Sequence, residues 1–546
     1  MNQNTGVVIV GAGPVGLTLA NLLGLRGIDV VLVEGLDELI DYPRGVGIDD
    51  EALRTMQSAG LVNEVLPHTI PDQPARSLGA KGRVFATMAP KTRVFGYARR
   101  NGFVQPAVDK VLLEGLDRFD NVQVHFGYSA VEVTQDANGA TVTVEDHQGT
   151  RTQIQAQYVV GCDGGRSIVR QVIGVDFPGS TLPERGLVID VENDPLGNPH
   201  VVFGGDPKRG FATISMPHGI RRWEFMLHDD ESDELATSDE FVHKLMKDHV
   251  TDPTSLSIIR RRVYTLNARV ASNFRDRRIL ICGDASHLMP VNAGQGWNSG
   301  MRDAINLGWK LAAVIKGTCG DGLLATYTTE RRDHVRAMVN LSVTMNRLNT
   351  SHNPFFTTAR DIAGRILDVV PPLKQWVATM GFKPMPKYEN GVVVHTPLPS
   401  SKSVITVGKH TTAGTLFPQP RVSTADGRDI LFDDAVSSDW CVVAWNNDPA
   451  KLIANKTVEQ IHHLGARLVQ VVPQVQRDWA VAHASPGVTV LGDPTQAFQW
   501  WFDESPFSVF IVRPDHVIAG ECLAQDLDNT LRQVFGATHL TAVPQS

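Results

Sequence analysis

Cysteine is scarce in this chain of 546 residues, and the few that occur are widely spaced: Cys162, Cys282, Cys319, Cys441 and Cys522. The sequence contains no CxxC pair and no cluster of cysteine with histidine, so it predicts neither a disulfide scaffold nor a metal site. We therefore expect reduced, mostly buried thiols and a cytoplasmic protein that binds no metal.

Long apolar runs and an excess of basic residues are missing as well. No apolar stretch approaches the roughly 20 residues of a membrane span, and a first strand predicted near Gly6 leads us to expect no signal peptide. Acidic residues outnumber basic ones, 59 to 51, which gives a net charge of -8. This balance argues against a nucleic-acid or membrane-surface binder, and the content of 42% hydrophobic residues is typical of a globular protein.

Glycine, in contrast, is plentiful at 48 residues, and one group lies in a strand–turn–helix–strand pattern over residues 6–34. The spacing Gly11-x-Gly13-x-x-Gly16 permits a tight turn and a close approach of the backbone to a pyrophosphate. The helix N-terminus that follows attracts phosphate charge. Glu34 ends the second strand, at the spacing of an acid that accepts hydrogen bonds from a ribose. We predict a nucleotide site here; the alternative is a purely structural glycine turn.

A second strand-to-helix junction lies in residues 159–170. Its apolar strand ends at Asp163, two glycines follow, and the next helix carries Arg170. Alone, this pattern is also that of a type I turn with an N-capping acid. Combined with the first glycine turn, it predicts an acid and a backbone segment that reach a dinucleotide from the opposite side.

The most informative stretch is residues 283–303, in which an acid, a glycine-rich loop and a helix follow an apolar strand. Asp284 is placed to bond a ribityl or ribose hydroxyl. Gly294, Gly296 and Asn298 present backbone to a ring edge where a reduced flavin carries negative charge, and the helix start supplies the matching dipole. The alternative is an elaborate helix cap. Two glycine-rich loops so far apart in the chain predict a flavin that is contacted at both ends.

The chain is too long for one hydrophobic core, and its alternating strands and helices predict an α/β protein of several domains. We predict a cofactor-binding domain in residues 1–180 and 271–385, interrupted by an antiparallel-sheet substrate domain in residues 181–270. A proline-bearing linker follows in residues 386–400. Residues 401–546, in which strands again alternate with helices, are predicted to form a C-terminal domain.

The three motifs together resemble the signature of the single-component flavoprotein aromatic hydroxylases, the p-hydroxybenzoate-hydroxylase and phenol-hydroxylase-like enzymes. The matching segments read GAGPVG, CDGxxSxVR and GDASHxxPxxxGQGxNSGMRDAxNLxWKL. The resemblance implies a Rossmann-like FAD-binding domain, an interleaved substrate sheet and a thioredoxin-like C-terminal domain, here without a CxxC pair. Within the family, residues 39–54, 99–106, 262–264 and 382–386 are similar to the 3-(3-hydroxyphenyl)propionate / 3-hydroxycinnamate hydroxylases.

The resemblance also implies a reaction. Family members use NADH or NADPH to reduce FAD, and they use O2 to hydroxylate a phenol ortho to its hydroxyl group, which gives a catechol for aromatic degradation. The implied partners are therefore a small aromatic substrate, O2 and the nicotinamide, without nucleic acid or membrane, and a homodimer is left open. Two alternatives stay open: a hydroxylase of another phenol, resorcinol or polyketide-type aromatic, and a non-catalytic FAD-binding protein.

Individual residues acquire roles from the same resemblance. Tyr264 and Arg262, two residues apart on one strand face, match a pair that contacts substrate; otherwise they are a half-buried strand residue and a surface charge. Asp49 is a candidate base near the flavin ring, and Pro290 resembles the proline whose carbonyl faces the flavin C4a position. The expected cofactor contacts are Gly11, Gly13, Gly16, Glu34, Arg44, Gln105, Asp163, Asp284, Gly294, Gly296 and Asn298.

Two features bear on the substrate. Its acid tail requires a cation, and four candidates lie in the predicted substrate sheet: Arg209, His218, Arg221 and Arg222. The flavin loop carries Asn292-Ala293 and Trp297, where the close propionate hydroxylases carry bulky Trp-Gln and Tyr. This difference from the propionate-hydroxylase pattern bears on which substituent the substrate ring carries more than on the type of reaction.

Overall fold

The computed structural model describes residues 4–80, 82–206, 208–350, 354–398, 411–437 and 439–543. Residues 399–410, which include the end of the predicted linker and the start of the predicted C-terminal domain, lie outside this description. The chain forms two compact units. Unit 1 comprises Met1–Thr92, Ala98–Ala304 and Val335–Pro384, and unit 2 comprises Arg93–Tyr97, Ile305–His334 and Met385–Ser546.

Nineteen strands lie in the described part of unit 1. They are β1 (Asn4–Val10), β2 (Val30–Glu34), β3 (Gly47–Asp49), β4 (Thr69–Ile70), β5 (Ala75–Leu78), β6 (Val84–Met88), β7 (Arg100–Phe103), β8 (Val122–Phe126), β9 (Ser129–Gln135), β10 (Ala140–Glu145), β11 (Arg151–Gly161), β12 (Gly179–Val191), β13 (Val201–Gly204), β14 (Phe211–Met216), β15 (Ile220–Met226), β16 (Ile258–Val270), β17 (Arg275–Asp276), β18 (Ile279–Ile281) and β19 (His287–Leu288).

The helices of the same region are α1 (Pro14–Gly24), α2 (Asp50–Ser58), α3 (Val62–Val65), α4 (Gln105–Glu114), α5 (Ile168–Val172), α6 (Asp233–Ala236), α7 (Asp239–Met246), α8 (Gly296–Ile315), α9 (Gly322–Thr350), α10 (Pro354–Val369) and α11 (Pro371–Ala378). Helices α8 and α9 each contribute residues to both units. Helix predominates in the described residues between 301 and 385.

The first sheet explains why the three motifs meet. Its main path runs β17-β18-β11-β1-β2-β8, and β18, β11, β1, β2 and β8 are parallel. Val7, Val8 and Ile9 of β1 are wholly buried, as expected for a strand covered on both faces. Val10 is in register with both Gly161 and Val33, so the carboxyl ends of these strands lie at one edge, where open α/β sheets bind ligands.

The second sheet has the order β19-β16-β12-β15-β14-β13-β5-β6 and is antiparallel except where β13 meets β5. Period-two alternation gives β15 two different faces. Trp223 and Phe225 pack with Phe241 of α7 in an apolar core, while Arg222 and Glu224 point to the opposite face. A third, small sheet pairs β3 and β4 with β7.

Unit 2 contains a mixed sheet with apolar cores on both faces. Its path is β21-β20-β24-β23-β22-β25-β26, with β22, β23 and β24 parallel. The strands are β20 (Arg421–Ser423), β21 (Asp429–Leu431), β22 (Cys441–Trp445), β23 (Arg467–Pro473), β24 (Val488–Asp493), β25 (Val509–Val512) and β26 (Ile518–Cys522). The helices are α12 (Phe432–Val436), α13 (Asn455–Leu464), α14 (Arg477–His483), α15 (Ala497–Asp503) and α16 (Leu527–Ala537). Several sheets with helices between their strands confirm the predicted α/β class.

Over the described ranges, no helix combines the length and the apolar character that crossing a bilayer requires.

Candidate active site

The first glycine turn is shaped by close backbone packing. Gly11 has a φ of +106°, and a Cβ atom there would lie 2.5 Å from the Cys162 carbonyl oxygen. A Cβ on Gly16 would lie 2.0 Å from the Gly11 carbonyl oxygen, so both positions require glycine. Gly13 differs, because a Cβ there would meet no atom within 4 Å. The exposed backbone of Gly13 caps α1 without a side-chain bond, which leaves helix amides free for an anion.

Glu34 closes this turn from the neighbouring strand. One of its carboxylate oxygens accepts a hydrogen bond from the Ala12 N–H at 2.9 Å, and the other accepts one from the Leu36 N–H at 3.0 Å. The side chain therefore lies beside the nucleotide turn, as the sequence predicts, and it also fixes the local backbone. Its contact with a ribose stays a prediction.

Asp163 and Asp284 follow the carboxyl ends of β11 and β18 at the same edge of the sheet. The Asp163 carboxylate accepts a hydrogen bond from the Val169 N–H at 3.2 Å, and its other oxygen is buried without a partner in the described structure. Burial raises the pKa of Asp163. Asp284 is partly exposed, lines the central cavity, and has its carboxylate 3.8 Å from the Arg44 guanidinium. An orphaned buried oxygen and an open carboxylate are both suited to ligand hydroxyls.

The Gln105 side chain, at the start of α4, holds the loop that carries Arg44. The Gln105 side-chain oxygen accepts hydrogen bonds from the backbone N–H groups of Arg44, at 3.2 Å, and Gly45, at 2.6 Å. The Gln105 amide donates to the Asp109 carboxyl at 3.0 Å. Burial raises the pKa of Asp109 to about 7. Arg44 and Gln105 both line the cavity, so the predicted pair is brought together, although Gln105 acts here on the backbone.

The glycine-rich loop of residues 290–298 forms another wall. Pro290, Gly294, Gly296 and Asn298 all line the cavity. The buried Asn298 side chain donates to the carbonyl oxygens of Gly47, at 3.0 Å, and Gly294, at 2.8 Å. Its oxygen accepts a bond from the Asp49 N–H at 3.1 Å. Asn298 therefore ties the loop to β3, and the direct flavin contact expected from the sequence stays a prediction.

Trp297, which the sequence marks as a predicted departure from the propionate-hydroxylase pattern, also lines the cavity. Its ring lies against Phe103, with ring centroids 4.9 Å apart. Ala293 lines the cavity as well, whereas the Asn292 side chain lies outside the described part of the structure. Ala293 and Trp297 are therefore next to the ligand space.

Asp49 belongs to a buried cluster of four charged side chains. Its carboxylate caps α2 through the Ala52 N–H and pairs with Arg302 and with Lys383, the latter at 2.8 Å. Arg302 and Lys383 also contact Glu51, at 2.6 Å and 3.3 Å. Burial would raise the pKa of Asp49, but the charges of Arg302 and Lys383 outweigh it and lower the pKa. Asp49 is thus an ionised anchor, and its use as a base stays a prediction.

Tyr264 lies in β16 with its hydroxyl 3.4 Å from the Glu224 carboxylate. Its ring covers Gly186 on β12, where a Cβ would lie 2.4 Å from the ring. Burial and the nearby Glu224 charge raise the pKa of Tyr264 well above its usual value. Tyr264 does not line the cavity among the described residues, but Glu224 does. Burial also raises the pKa of Glu224, against the lowering effect of Arg222.

Arg262 is exposed on the same strand, and its guanidinium donates to the Tyr42 hydroxyl at 2.7 Å. Arg260 stacks on the Tyr42 ring at 3.8 Å and donates to the Pro43 carbonyl at 2.9 Å. Buried Arg222 contacts the same carbonyl. These arginines fasten the loop before Arg44 to the second sheet, a role that Arg262 was not predicted to have.

The four predicted cations differ in their surroundings. Arg209 pairs with Glu231 at 2.5 Å, and Arg221 pairs with Asp194 at 2.5 Å. His218 contacts the ring nitrogen of His68 at 3.0 Å. Of the four, Arg222 alone lines the cavity, and it is held by Asp190 through two bonds, at 2.7 Å and 2.9 Å.

His287, which also belongs to the third motif, is wholly buried and contacts the Asp303 carboxylate at 2.6 Å. The same carboxylate oxygen accepts a bond from the Gly283 N–H at 3.2 Å. The pair fixes the start of the third motif, since Gly283 directly precedes Asp284.

The cavity has a volume of about 330 Å³ and is bounded by elements of unit 1. On one side lie the glycine turn, the loop of residues 44–49 and the loop of residues 288–298; on the other lies the second sheet. The second sheet contributes the apolar side chains of Val201, Phe203 and Ile214. Free helix amides and the open backbone at Gly13 fit a dinucleotide at one end, and the apolar wall fits an aromatic ring at the other.

Sequence reasoning missed several residues that line this space, among them Arg100, Glu224 and Lys383. Lys383 pairs with Asp49, 334 positions away, so no local sequence pattern predicts this contact. A signal did exist for Glu224, because alternation along β15 places it on the same face as Arg222.

Residues 4–342 match the family described as "FAD binding domain", and residues 414–537 match the family described as "HcaD C-terminal domain". Two mycobacterial relatives are named 3-(3-hydroxy-phenyl)propionate/3-hydroxycinnamic acid hydroxylase. The relative from Mycobacterium sp. (strain JLS) is 49% identical over 99% of this chain and 93% of its own length. The relative from Mycobacterium sp. (strain KMS) is 50% identical over 98% of this chain and 92% of its own length. The chain belongs to this family of FAD-dependent aromatic hydroxylases.

A solved structure of similar fold is that of the flavin-dependent monooxygenase PieE in complex with FAD and substrate. It has a TM-score of 0.79 and 21% identity, and the match covers 98% of this chain and 99% of that one. Family membership confirms the resemblance found in the three motifs. This hydroxylase is accordingly a flavin-dependent monooxygenase with FAD as its cofactor and reduced nicotinamide as co-substrate.

Proposed function

We propose that this hydroxylase acts on a phenol with a short carboxylate chain, such as 3-(3-hydroxyphenyl)propionate or 3-hydroxycinnamate, and places a second hydroxyl ortho to the first. The observation that carries this proposal is the identity of about half of all positions, over nearly the full length of both chains, with relatives of that name. The apolar wall and basic side chains of the cavity support it, because such a substrate has an apolar ring and an anionic tail.

Bound FAD supplies the redox chemistry, accepting hydride from NADH or NADPH and activating O2. The chain's own residues position the ring and exclude water. In this proposal the Glu224 carboxylate accepts the hydrogen bond or proton of the substrate phenol, because it lines the cavity and burial raises its pKa towards that of a useful base. Tyr264 donates to Glu224 and positions it. Transfer of the phenol proton towards Glu224 leaves negative charge on the phenol oxygen, and this charge raises electron density at the ortho carbon.

The cofactor roles of the glycine turn, Glu34, Arg44, Gln105, Asp163, Asp284 and the 290–298 loop are part of the same proposal. Helix amides at α1 bind the pyrophosphate, Glu34 the ribose and Asp284 the ribityl chain, while Pro290 faces the reactive flavin edge. Support comes from the common location of these groups around one edge of the first sheet.

We also infer that the C-terminal domain is thioredoxin-like. Its support is a mixed sheet with three parallel central strands, β22, β23 and β24, and helices that pack on both faces. The domain has two cysteines, Cys441 and Cys522, which are buried and form no disulfide, and burial raises the pKa of Cys522 to about 11. Such thiols are poor nucleophiles, so the inferred role is structural. A homodimer stays a prediction.

Two alternatives from the sequence are less well supported. Solved structures such as that of OxyS anhydrotetracycline hydroxylase from Streptomyces rimosus share the fold. Their identity to this chain, 22% for OxyS, is too low to indicate a common substrate. Family membership sets aside a non-catalytic FAD-binding protein.

A panel of phenols tests the proposal. NADH oxidation and product formation are measured with 3-(3-hydroxyphenyl)propionate, 3-hydroxycinnamate, resorcinol and phenol. We expect both phenolic acids to accelerate NADH oxidation and to yield nearly one catechol per NADH, with weak responses to the uncharged phenols. Faster coupled turnover of resorcinol or phenol would instead assign the enzyme to another substrate class.

A further inference from the structure

Five basic side chains line the cavity: Arg44, Arg99, Arg100, Arg222 and Lys383. A cation in a protein interior is stable only with a partner that offsets its lost hydration. The partners of these five groups therefore indicate which of them is reserved for an anionic ligand.

Four of the five face carboxylates of the chain. Arg222 is bound by Asp190, Lys383 by Asp49 and Glu51, and Arg44 lies 3.8 Å from Asp284. Arg99 faces Asp50: burial raises the pKa of Asp50 to about 7, and the Arg99 charge is among those that oppose the rise.

Arg100 is different. It begins β7, where its backbone is in register with Asp49 of β3. The guanidinium Nε atom is buried without a hydrogen-bond partner, and no carboxylate of the described residues forms an ion pair with Arg100. Burial alone lowers the pKa of Arg100 to about 10, which leaves it charged at neutral pH. Within the described cavity wall, Arg100 thus presents a desolvated charge with unused donors.

The apolar wall of the same cavity indicates the kind of ligand that the Arg100 charge would contact, namely an aromatic molecule with an anionic group. Val201, Phe203 and Ile214 form a surface suited to an aromatic ring, and Arg100 lines the same cavity. Guanidinium groups bind carboxylates through two parallel hydrogen bonds. We propose that Arg100 binds the carboxylate of the substrate side chain and so selects phenolic acids over uncharged phenols. This inference rests on the proposed function for the identity of the acid.

The test compares an acid and an amide of equal size in the FAD-loaded enzyme. Dissociation constants for 3-phenylpropionate and 3-phenylpropanamide are measured from the change in flavin absorbance, which requires no turnover. We expect the wild-type enzyme to prefer the acid, and Arg100→Met to weaken acid binding about 10- to 100-fold, the value of a charge-assisted bond pair, while amide binding changes little. Arg100→Lys retains the charge but not the fork and should keep part of the preference.

Arg76→Met serves as the matched control, because Arg76 is an exposed arginine of β5 outside the cavity lining and its loss should leave both constants unchanged. Flavin content and melting temperature confirm that each variant is folded. Retention of the full acid preference in Arg100→Met would overturn the proposal, as would a wild-type enzyme that binds acid and amide equally. Neither result depends on hydroxylation, whereas failure of the proposed function would appear as uncoupled NADH oxidation with phenolic acids.

Discussion

At the scale of single residues, Glu34 shows how a predicted ligand contact also organises the backbone. It accepts hydrogen bonds from Ala12 and Leu36 and so holds the glycine turn against the end of β2. We expect Glu34→Ala to lower FAD retention after gel filtration, because both the ribose acceptor and the support of the turn are lost. Glu38→Ala, at an exposed position of the same loop, is the control. A Glu34→Ala enzyme that retains all its flavin would contradict the proposed contact.

Tyr264 acts, in our account, through its neighbour rather than by touching the ring. Tyr264→Phe removes the donor to Glu224 but keeps the ring that covers Gly186. We therefore predict a several-fold loss of product per NADH, with flavin content and melting temperature nearly unchanged. The measurement is the ratio of catechol formed to NADH oxidised. An unchanged ratio would remove Tyr264 from the reaction, and rescue of the ratio at higher pH would support its effect on Glu224.

At the scale of elements, Gln105 of α4 holds the Arg44 loop through hydrogen bonds, and the buried Asp109 carboxyl group accepts a hydrogen bond from the Gln105 amide. Since burial raises the pKa of Asp109 from 3.8 to about 7, the carboxyl group favours the folded state below about pH 3.8 and loses that contribution as the pH rises to 7. Asp109→Asn cannot ionise. We expect the melting temperature of this variant, relative to wild type, to rise between pH 5 and pH 8. Over this pH range the corresponding free energy is at most about 3 kcal/mol, from two pH units below the folded-state pKa at about 1.4 kcal/mol each.

A temperature difference between the Asp109 variant and wild type that stays constant across this range would show that Asp109 is ionised throughout. The structural cause of the predicted change is a carboxyl group with one oxygen bonded to Gln105 and the other buried without a partner in the described structure.

The sequence predicts elements better than it predicts contacts. The strand–turn–helix–strand pattern of residues 6–34 is observed as β1, α1 and β2, because the glycine spacing and apolar runs that predict it are local signals. The parallel pairing of β13 with β5 was not anticipated, since its partners lie more than a hundred positions apart. The Asp49 cluster was missed for the same reason: Arg302 and Lys383 come from distant segments, and their charges resemble surface residues in the sequence.

At the scale of the whole molecule, unit 2 contains a second buried ion network. Glu330 of α9 contacts Arg513 at 2.8 Å and Lys310 at 2.7 Å, and it accepts a bond from the Val392 N–H. Although burial opposes ionisation, the charges of Arg513 and Lys310 lower the pKa of Glu330. The carboxylate therefore joins α8, α9 and the segment after β25.

Glu330→Gln leaves two buried cations without their shared anion and should destabilise unit 2 by about 3–5 kcal/mol. We expect faster hydrogen exchange in residues 322–334 and 509–522. Asp439→Asn, which breaks an exposed pair with Arg467 at 3.8 Å, should cost less than about 1 kcal/mol and serves as the control. Equal exchange rates in the two variants would show that the buried network contributes little.

In the proposed function, this chain transfers one oxygen atom from O2 to a phenolic acid. Turnover of 3-(3-hydroxyphenyl)propionate with NADH under ¹⁸O2, followed by mass spectrometry of the product, tests it most directly. We predict a catechol that carries one ¹⁸O atom beside the original hydroxyl group, formed at nearly one per NADH oxidised. NADH oxidation without labelled product, or a label at a position other than ortho, would contradict the account.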